Sequence, residues 1–204
     1  MTQLKYRIIS GLLTPDAGSV LLDGREITGM PGNISYMLQK DLLLPYRTIL
    51  DNAALPLILK GVSKQQARAE AAALLPQFGL EGTEDQYPSQ LSGGMRQRAA
   101  LLRTYLFSQD VALLDEPFSA LDTLTKSAIH RWFLNVMAEI HLSTLFITHD
   151  IDEAILLSDR IYLLSGSPGT ITAEIPIREP KPRPADFNLS PEFLRYKRQI
   201  LELL

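Results

Sequence analysis

Cysteine is absent from this sequence, which excludes disulfides and thiolate metal sites as supports for the fold and permits a reducing compartment. Long apolar runs are absent too: the richest stretch, Thr48 to Lys60, is broken by Asp51, Asn52 and Pro56, short of the roughly 18 residues that a membrane helix needs. Ahead of it, Lys5 and Arg7 precede only Ile8-Ile9-Ser10-Gly11-Leu12-Leu13, too little for a secretory core, so the expected location is the cytoplasm. Nor is there a surplus of positive charge, since 20 basic against 23 acidic residues give a net charge of −3, and a nucleic-acid partner is not expected. What is there is ordinary globular material: 204 residues, 46% hydrophobic and 21% charged, enough to bury a core and too apolar for intrinsic disorder. One compact domain with a large insertion fits that length.

Ser19-Val-Leu-Leu-Asp23-Gly24-Arg-Glu-Ile27 places an Asp-Gly pair between two short apolar runs, a hairpin signal. Ile34-Ser-Tyr-Met-Leu38 reads as a strand ending at Gln39, and Thr48 to Ser108 turns helical, dense in Ala, Gln, Arg and Glu from Lys64 to Leu75. Val111 to Leu114 is a continuous apolar run, and Thr144 to Thr148 is another β run. Between them Leu121, Leu124, Ala128 and Trp132 step by 3, 4 and 4, and Ile129, Phe133, Val136 and Ile140 by 4, 3 and 4, predicting a helix over 121–140 whose stripe is core. Arg160 to Leu164 and Gly169 to Ile175 read as closing strands. A proline-rich stretch, Pro176 to Pro184, leads to a last helix from Pro191, capped by Ser190. Strands alternating with helices imply a mostly parallel α/β sheet covered on both faces.

Four motifs stand in one order. Val111-Ala-Leu-Leu-Asp115-Glu116-Pro117 ends a buried strand in two carboxylates, at the edge where α/β proteins bind ligands; the first suits Mg²⁺ and the second a water, although an acidic turn would read the same way. Leu91-Ser92-Gly93-Gly94-Met95-Arg96-Gln97-Arg98 opens a helix whose apolar positions Met95, Ala99, Leu102 and Leu106 step by 4, 3 and 4. Ser92 can cap it, and glycines at a helix N-terminus suit phosphate, against the plainer reading of a glycine-rich cap. Ser119-Ala-Leu-Asp122 follows the carboxylates, and His149 ends a β run in Thr148-His149-Asp150. A lone histidine there would usually be a satisfied core or cap residue, and a lone Gln39 at the end of its strand would normally mean nothing; their order together is what points to chemistry.

Together these residues resemble the ATP-binding cassette (ABC) ATPases, from about Arg7 to the end. The resemblance implies a P-loop-type α/β fold over 1–204, a helical subdomain inserted at 48–110, and a tail and helix at 176–204. It implies ATP and Mg²⁺ as cofactors: Gln39 touching metal and water, Asp115 contacting Mg²⁺, Glu116 the general base, Asp122 in the D-loop and His149 the switch histidine. Ser92, Gly93, Gly94 and Met95 would bind the γ-phosphate of ATP held by a second, head-to-tail subunit, with Met95 standing where a glutamine often follows the glycines.

One part of the pattern is missing. Arg7 to Gly18 looks like the stretch after the P-loop, yet Met1-Thr2-Gln3 stands where Gly-Lys-Ser/Thr belongs, and no G-x-x-x-x-G-K-[ST] occurs elsewhere. A truncated product, a misassigned start and a genuinely P-loop-less subunit are the three readings. Without cradle, lysine and metal-binding hydroxyl, ordinary turnover by these residues is not expected. Loss of the P-loop strand would also leave neighbouring strands with an open edge, so low stability or self-association is expected.

Transport is the implied function. In the family a groove between the glutamine loop and the helical insertion receives a short helix from a membrane permease, and Asp41-Leu-Leu-Leu-Pro45-Tyr46-Arg47-Thr48 falls there, unless Leu42 to Leu44 are core. Tyr36 to Pro45, Ser167-Pro-Gly-Thr-Ile171, Glu174 to Ile177, Lys181 to Pro184 and Ser190-Pro-Glu-Phe193 resemble importer ATPases for nitrate, sulfonate and taurine, fed by a solute-binding protein. Arg178, Lys181 and Arg183 read as a solvated tail. Such a subunit is cytoplasmic and held to the inner membrane face by the permease. The rivals are a soluble, non-transport ABC ATPase and a non-catalytic partner donating Ser92 to Met95 and Asp122 in trans.

Overall fold

Helix α1 (Thr2–Ile9) opens the fold, where the sequence alone signals no element. The computed structural model describes residues 2–108, 110–184 and 186–204; Met1 and the side chains of Thr2, Gln3, Thr123 and Leu124, hence the Met1-Thr2-Gln3 site and one member of the predicted stripe, lie outside the description. Helix α1 stops at Gly11, whose φ of +77° suits glycine alone and where a Cβ would run into the Met30 carbonyl. The hairpin forms as β1 (Leu21–Leu22) and β2 (Arg25–Glu26), antiparallel, with Asp23 at φ 50° and Gly24 at φ 78° as its type I′ turn demands. Strand β3 (Ser35–Met37) follows and points Gln39 out of its carboxyl end.

Three capped helices come next: α2 (Ile49–Leu59), α3 (Lys64–Leu74) and α4 (Gly93–Phe107), begun by Thr48, Ser63 and Ser92, each accepting from the amide three residues on. Buried Asn52 ties the 44–48 loop to α2, its Oδ1 accepting from Leu44 N at 2.7 Å and its amide donating to the carbonyls of Leu44, Arg47 and Thr48.

Strand β4 (Val111–Asp115), helix α5 (Thr123–Ile140), strand β5 (Ser143–Ile147) and helix α6 (Ile151–Leu157) complete the parallel unit. The sheet order is β3-β4-β5, with Met37 opposite Leu114 and Asp115 opposite Ile147. Alternation along β4 covers both faces: Ala112 and Leu114 join Leu102, Phe118, Ile129 and Phe133 under α4 and α5, while Leu113 joins Tyr6, Ile27 and Ile34 under α1. Each such buried leucine is worth about 2 kcal/mol. Helix α5 begins two residues later than the periodicity predicts, because Asp122 stands outside it and caps it by accepting from Thr125 N at 3.1 Å.

Strands β6 (Arg160–Ser165) and β7 (Thr170–Pro176) pair antiparallel in a sheet of their own, and helix α7 (Pro191–Leu203) packs Phe193, Tyr196 and Ile200 against Ile155, Ile161 and Ile175. The tail corrects one expectation. Arg183 is 7% exposed rather than solvated: its guanidinium donates to the carbonyls of Ile155, Leu156 and Ser158 at 2.6–2.9 Å, closing the C-terminal end of α6. Lys181 pairs with Asp159 at 2.9 Å. Among the described residues, no helix is long and apolar enough to cross a membrane.

Candidate functional site

The parallel register puts the ends of β3, β4 and β5 side by side, so the residues just beyond them meet although they are far apart in sequence. Glu116 is the meeting point. Its Oε2 accepts from Gln39 Nε2 at 3.1 Å, and its Oε1 lies 3.1 Å from His149 Nδ1. Its backbone N–H donates to Ile147 O at 3.0 Å, extending the β4–β5 ladder one residue and fixing Glu116 beside the strand that leads to His149. At φ +46° it occupies the left-handed region, which a non-glycine residue adopts at a cost and which clusters at functional sites.

Asp115 lies one residue back, 2% exposed. Its Oδ2 accepts from the Tyr36 hydroxyl at 3.3 Å, and burial together with the Asp115 charge and this bond pushes the Tyr36 phenol up to about 12. Tyr6 stacks edge-on against Tyr36 with centroids 5.9 Å apart, and burial followed by the Asp115 and Tyr36 charges raises its phenol further still. Two protonated phenols therefore stand beside this carboxylate. Its oxygens are the hard donors that suit Mg²⁺, and Mg²⁺ sites take one or two carboxylates and complete themselves with water and phosphate rather than with a full protein cage. Among the described residues no group of three or more His, Cys, Asp or Glu could form such a cage.

The glycine-rich helix start belongs to a second assembly. Ser92 caps α4 by accepting from Met95 N at 3.3 Å. A Cβ on Gly93 would sit 3.3 Å from Leu121 Cδ2, and one on Gly94 would sit 3.3 Å from Thr125 Cγ2, so both glycines let α4 pack closely on the start of α5 beside Asp122. Arg96 binds Asp41 at 3.2 Å, and Arg103 donates to the carbonyls of Asp41 and Leu42 at 2.6 and 2.8 Å; α4 is thereby tied to the loop that follows Gln39. Leu42 to Leu44 split between the two readings, Leu43 being 7% and Leu42 50% exposed.

Gln39, Glu116 and His149 thus converge with Asp115 behind them, while Ser92 to Met95 and Asp122 gather around the starts of α4 and α5. The sequence motifs contain Tyr36 and Ser119 but assign them no role in the site; Ser119 takes part by donating to Glu116 O at 3.0 Å. Sequence reasoning missed Glu153, whose Oε2 accepts from Thr148 Oγ1 at 2.6 Å and whose one local signal is the Asp-x-x-Glu spacing of a capping box.

The chain resembles known proteins over most of its length. The ABC transporter family model matches residues 5–119, which include Gln39, Ser92 to Met95, Asp115 and Glu116, and end before Asp122 and His149. The chain is 47% identical over 163 residues to the formylaminopyrimidine import ATP-binding protein ThiZ of Halalkalibacterium halodurans, covering 80% of this chain but 63% of ThiZ, less than two thirds of that relative. It is 37% identical over 204 residues to the nitrate import ATP-binding protein NrtD of Synechocystis sp., covering 97% of this chain and 77% of NrtD. Among solved structures, the ATP-binding cassette MJ0796, a dimer in a post-hydrolysis state bound to ADP and Pi, superposes with a TM-score of 0.71 at 29% identity, covering 87% of this chain and 81% of that one.

Proposed function

The chain belongs to the ABC transporter family of ATP-binding proteins, and on that premise we propose that it is the ATP-hydrolysing component of an importer for a small solute, coupling hydrolysis to transport. The convergence of Gln39 and His149 on Glu116, beside buried Asp115, carries this reading. Glu116 acts as general base on the attacking water, Gln39 and His149 hold its carboxylate from the ends of two other strands, and His149 senses the γ-phosphate. Asp115, with Gln39, would hold Mg²⁺; when bound, that ion neutralises phosphate charge. Ser92 to Met95 and Asp122 serve the nucleotide of a second subunit head to tail. That MJ0796 forms a dimer and that the two groups of site residues gather at separate places support this.

In this reading 48–110 is the helical subdomain of a cassette spanning 1–204, and 176–204 is its tail. The permease side is a groove of about 400 Å³ between the α1–β3 region and helices α2 and α4, lined by Leu12, Ile34, Pro56, Leu59 and Phe107. Leu59 in that groove is 77% exposed, and Tyr46 in the 41–48 loop is 73% exposed, which supports docking of a short membrane-subunit helix on this side. Location at the inner membrane face follows from that docking. The names of ThiZ and NrtD, import ATP-binding proteins for formylaminopyrimidine and nitrate, support import of a small solute; delivery by a solute-binding protein and membership of the nitrate, sulfonate and taurine group are part of the proposal.

No G-x-x-x-x-G-K-[ST] occurs in these 204 residues, so by themselves they are not expected to turn over ATP. One second reading is a partner that donates Ser92 to Met95 and Asp122 in trans, which the capped start of α4 packed beside Asp122 supports. Mixing with an intact cassette separates the two, since stimulation of the cassette's ATPase supports donation. The main reading is tested by Glu116→Gln in a chain joined to a relative's P-loop segment. ATP binding is retained and hydrolysis falls by at least about 100-fold; unchanged turnover removes Glu116 from the base role.

A further inference from the structure

Glu153 is a carboxylate at 3% exposure, and each of its oxygens is engaged. Oε1 lies 2.9 Å from His130 Nε2 and 3.9 Å from Lys126 Nζ, and Oε2 accepts from Thr148 Oγ1 at 2.6 Å. A buried carboxylate is costly unless its lone pairs find such partners, and once they do the geometry is stiff. Here the partners come from two elements that have no reason of sequence to move together.

On one side is the loop that carries His149. Thr148 Oγ1, held by Glu153, accepts from Asp150 N at 2.9 Å; Asp150 in turn caps α6 by accepting from the amides of Asp152 and Glu153 at 3.0 and 3.2 Å. The Asp-x-x-Glu spacing would ordinarily send the glutamate back to the cap residue's own amide. The Thr148 hydroxyl takes that amide instead, which leaves the Glu153 carboxylate free to reach into the core. Both neighbours of His149 thus hang on one side chain, whereas the His149 side chain itself is 70% exposed and cannot be placed by packing.

On the other side is α5. Lys126 and His130 are one turn apart on it, and Lys126 also pairs with Asp150 at 3.5 Å. Lys126 N donates to Asp122 O at 2.8 Å, in the first turn of the helix that Asp122 caps. The ring of Phe118, two residues beyond Glu116, stands 5.4 Å from that of His130.

We propose that Glu153 is a positioning residue for His149, and that through Lys126 and His130 it couples the loop carrying His149 to the helix that Asp122 caps. A shift of the Asp122 end of α5 is then felt at His149 through one buried carboxylate, which links the part of the surface assigned to a second subunit with the hydrolytic side. The coupling deepens the functional reading above and rests on it for its catalytic consequence alone; the mechanical claim concerns this chain as it stands.

The test uses the imidazole resonances of the isotopically labelled 204-residue chain, which has three histidines, His130, His141 and His149, each assigned by its own His→Gln variant. Thr148→Val removes the loop's hold on Glu153. The expected result is that the His149 resonances leave their position and converge on those of exposed His141, while His130 stays in place. Glu153→Gln should displace both His130 and His149. Phe193→Leu, in the α7 cluster, lowers stability through a different core and should leave His149 where it was, which a role confined to stability would not distinguish. If Glu153→Gln fails to fold, Thr148→Val and Lys126→Gln decide the question. Folded variants whose His149 resonances match those of the parent chain overturn the proposal. A displaced His149 in these variants, together with unchanged turnover on His149→Ala in a P-loop-bearing chain, would leave the coupling standing and remove the catalytic role of His149.

Discussion

His149 Nδ1 and Glu116 Oε1 lie 3.1 Å apart, joining the loop after β5 to the residue just beyond β4. The other Glu116 oxygen is taken by Gln39 from the end of β3, so one carboxylate is oriented from both neighbouring strands. In a P-loop-bearing chain, His149→Ala should lower the turnover number by at least about 100-fold with little change in ATP affinity, because the interaction matters at the reacting phosphate. The melting temperature should stay close to the parent's, since the side chain is 70% exposed. Steady-state kinetics with a calorimetric melt reads both; a fall in affinity alone would assign His149 to ground-state binding.

Arg183 offers a stability test away from the site. It donates to three carbonyls at the end of α6, and its guanidinium stands 5.5 Å from the Phe187 ring. Arg183→Ala should destabilise the chain by about 2–4 kcal/mol, by leaving those carbonyls without their donor and opening a hole beside Phe187. Arg183→Lys should not restore it, because one ammonium cannot serve three carbonyls fanned around a planar fork. Urea denaturation measures both, and a loss below about 0.5 kcal/mol would return Arg183 to the solvated tail.

Strand β5 is the edge of its sheet, with Ser143, Thr144 and Leu145 exposed and Leu145 at 39%. An exposed, uncharged strand edge is a template for pairing with another chain. The 204-residue chain should associate with rising concentration in sedimentation velocity, and Leu145→Lys should shift it toward monomer. A cooperatively melting monomer at every concentration contradicts this.

Much of the fold is legible in the sequence wherever the determinant is local. The Asp23-Gly24 turn, the apolar runs of β4 and β5, and the caps Ser92 and Ser190 each depend on a few adjacent residues, and each forms. Helix α1 escapes such reading because it is held by tertiary packing, Tyr6 lying against Tyr36 and Leu113. Arg183 escapes it because its acceptors lie 25 to 28 residues away on the closing turn of another helix. At the site, the motifs single out Gln39, Asp115, Glu116 and His149, but the meeting of Gln39 with Glu116, 77 residues on, exists only through the parallel register. Glu153 was hidden by its own spacing, which reads as an ordinary helix start until Thr148 is seen to take the amide that a capping box would use.

The account holds that these residues supply the hydrolytic and signature groups of an importer ATPase without a phosphate cradle. Titration of the 204-residue chain with a fluorescent ATP analogue and Mg²⁺ tests that directly. The predicted result is no saturable binding, with binding appearing once a relative's P-loop segment is joined to the chain. Saturable binding to the chain alone, displaced by unlabelled ATP, would contradict the account and assign the phosphates to another segment of it.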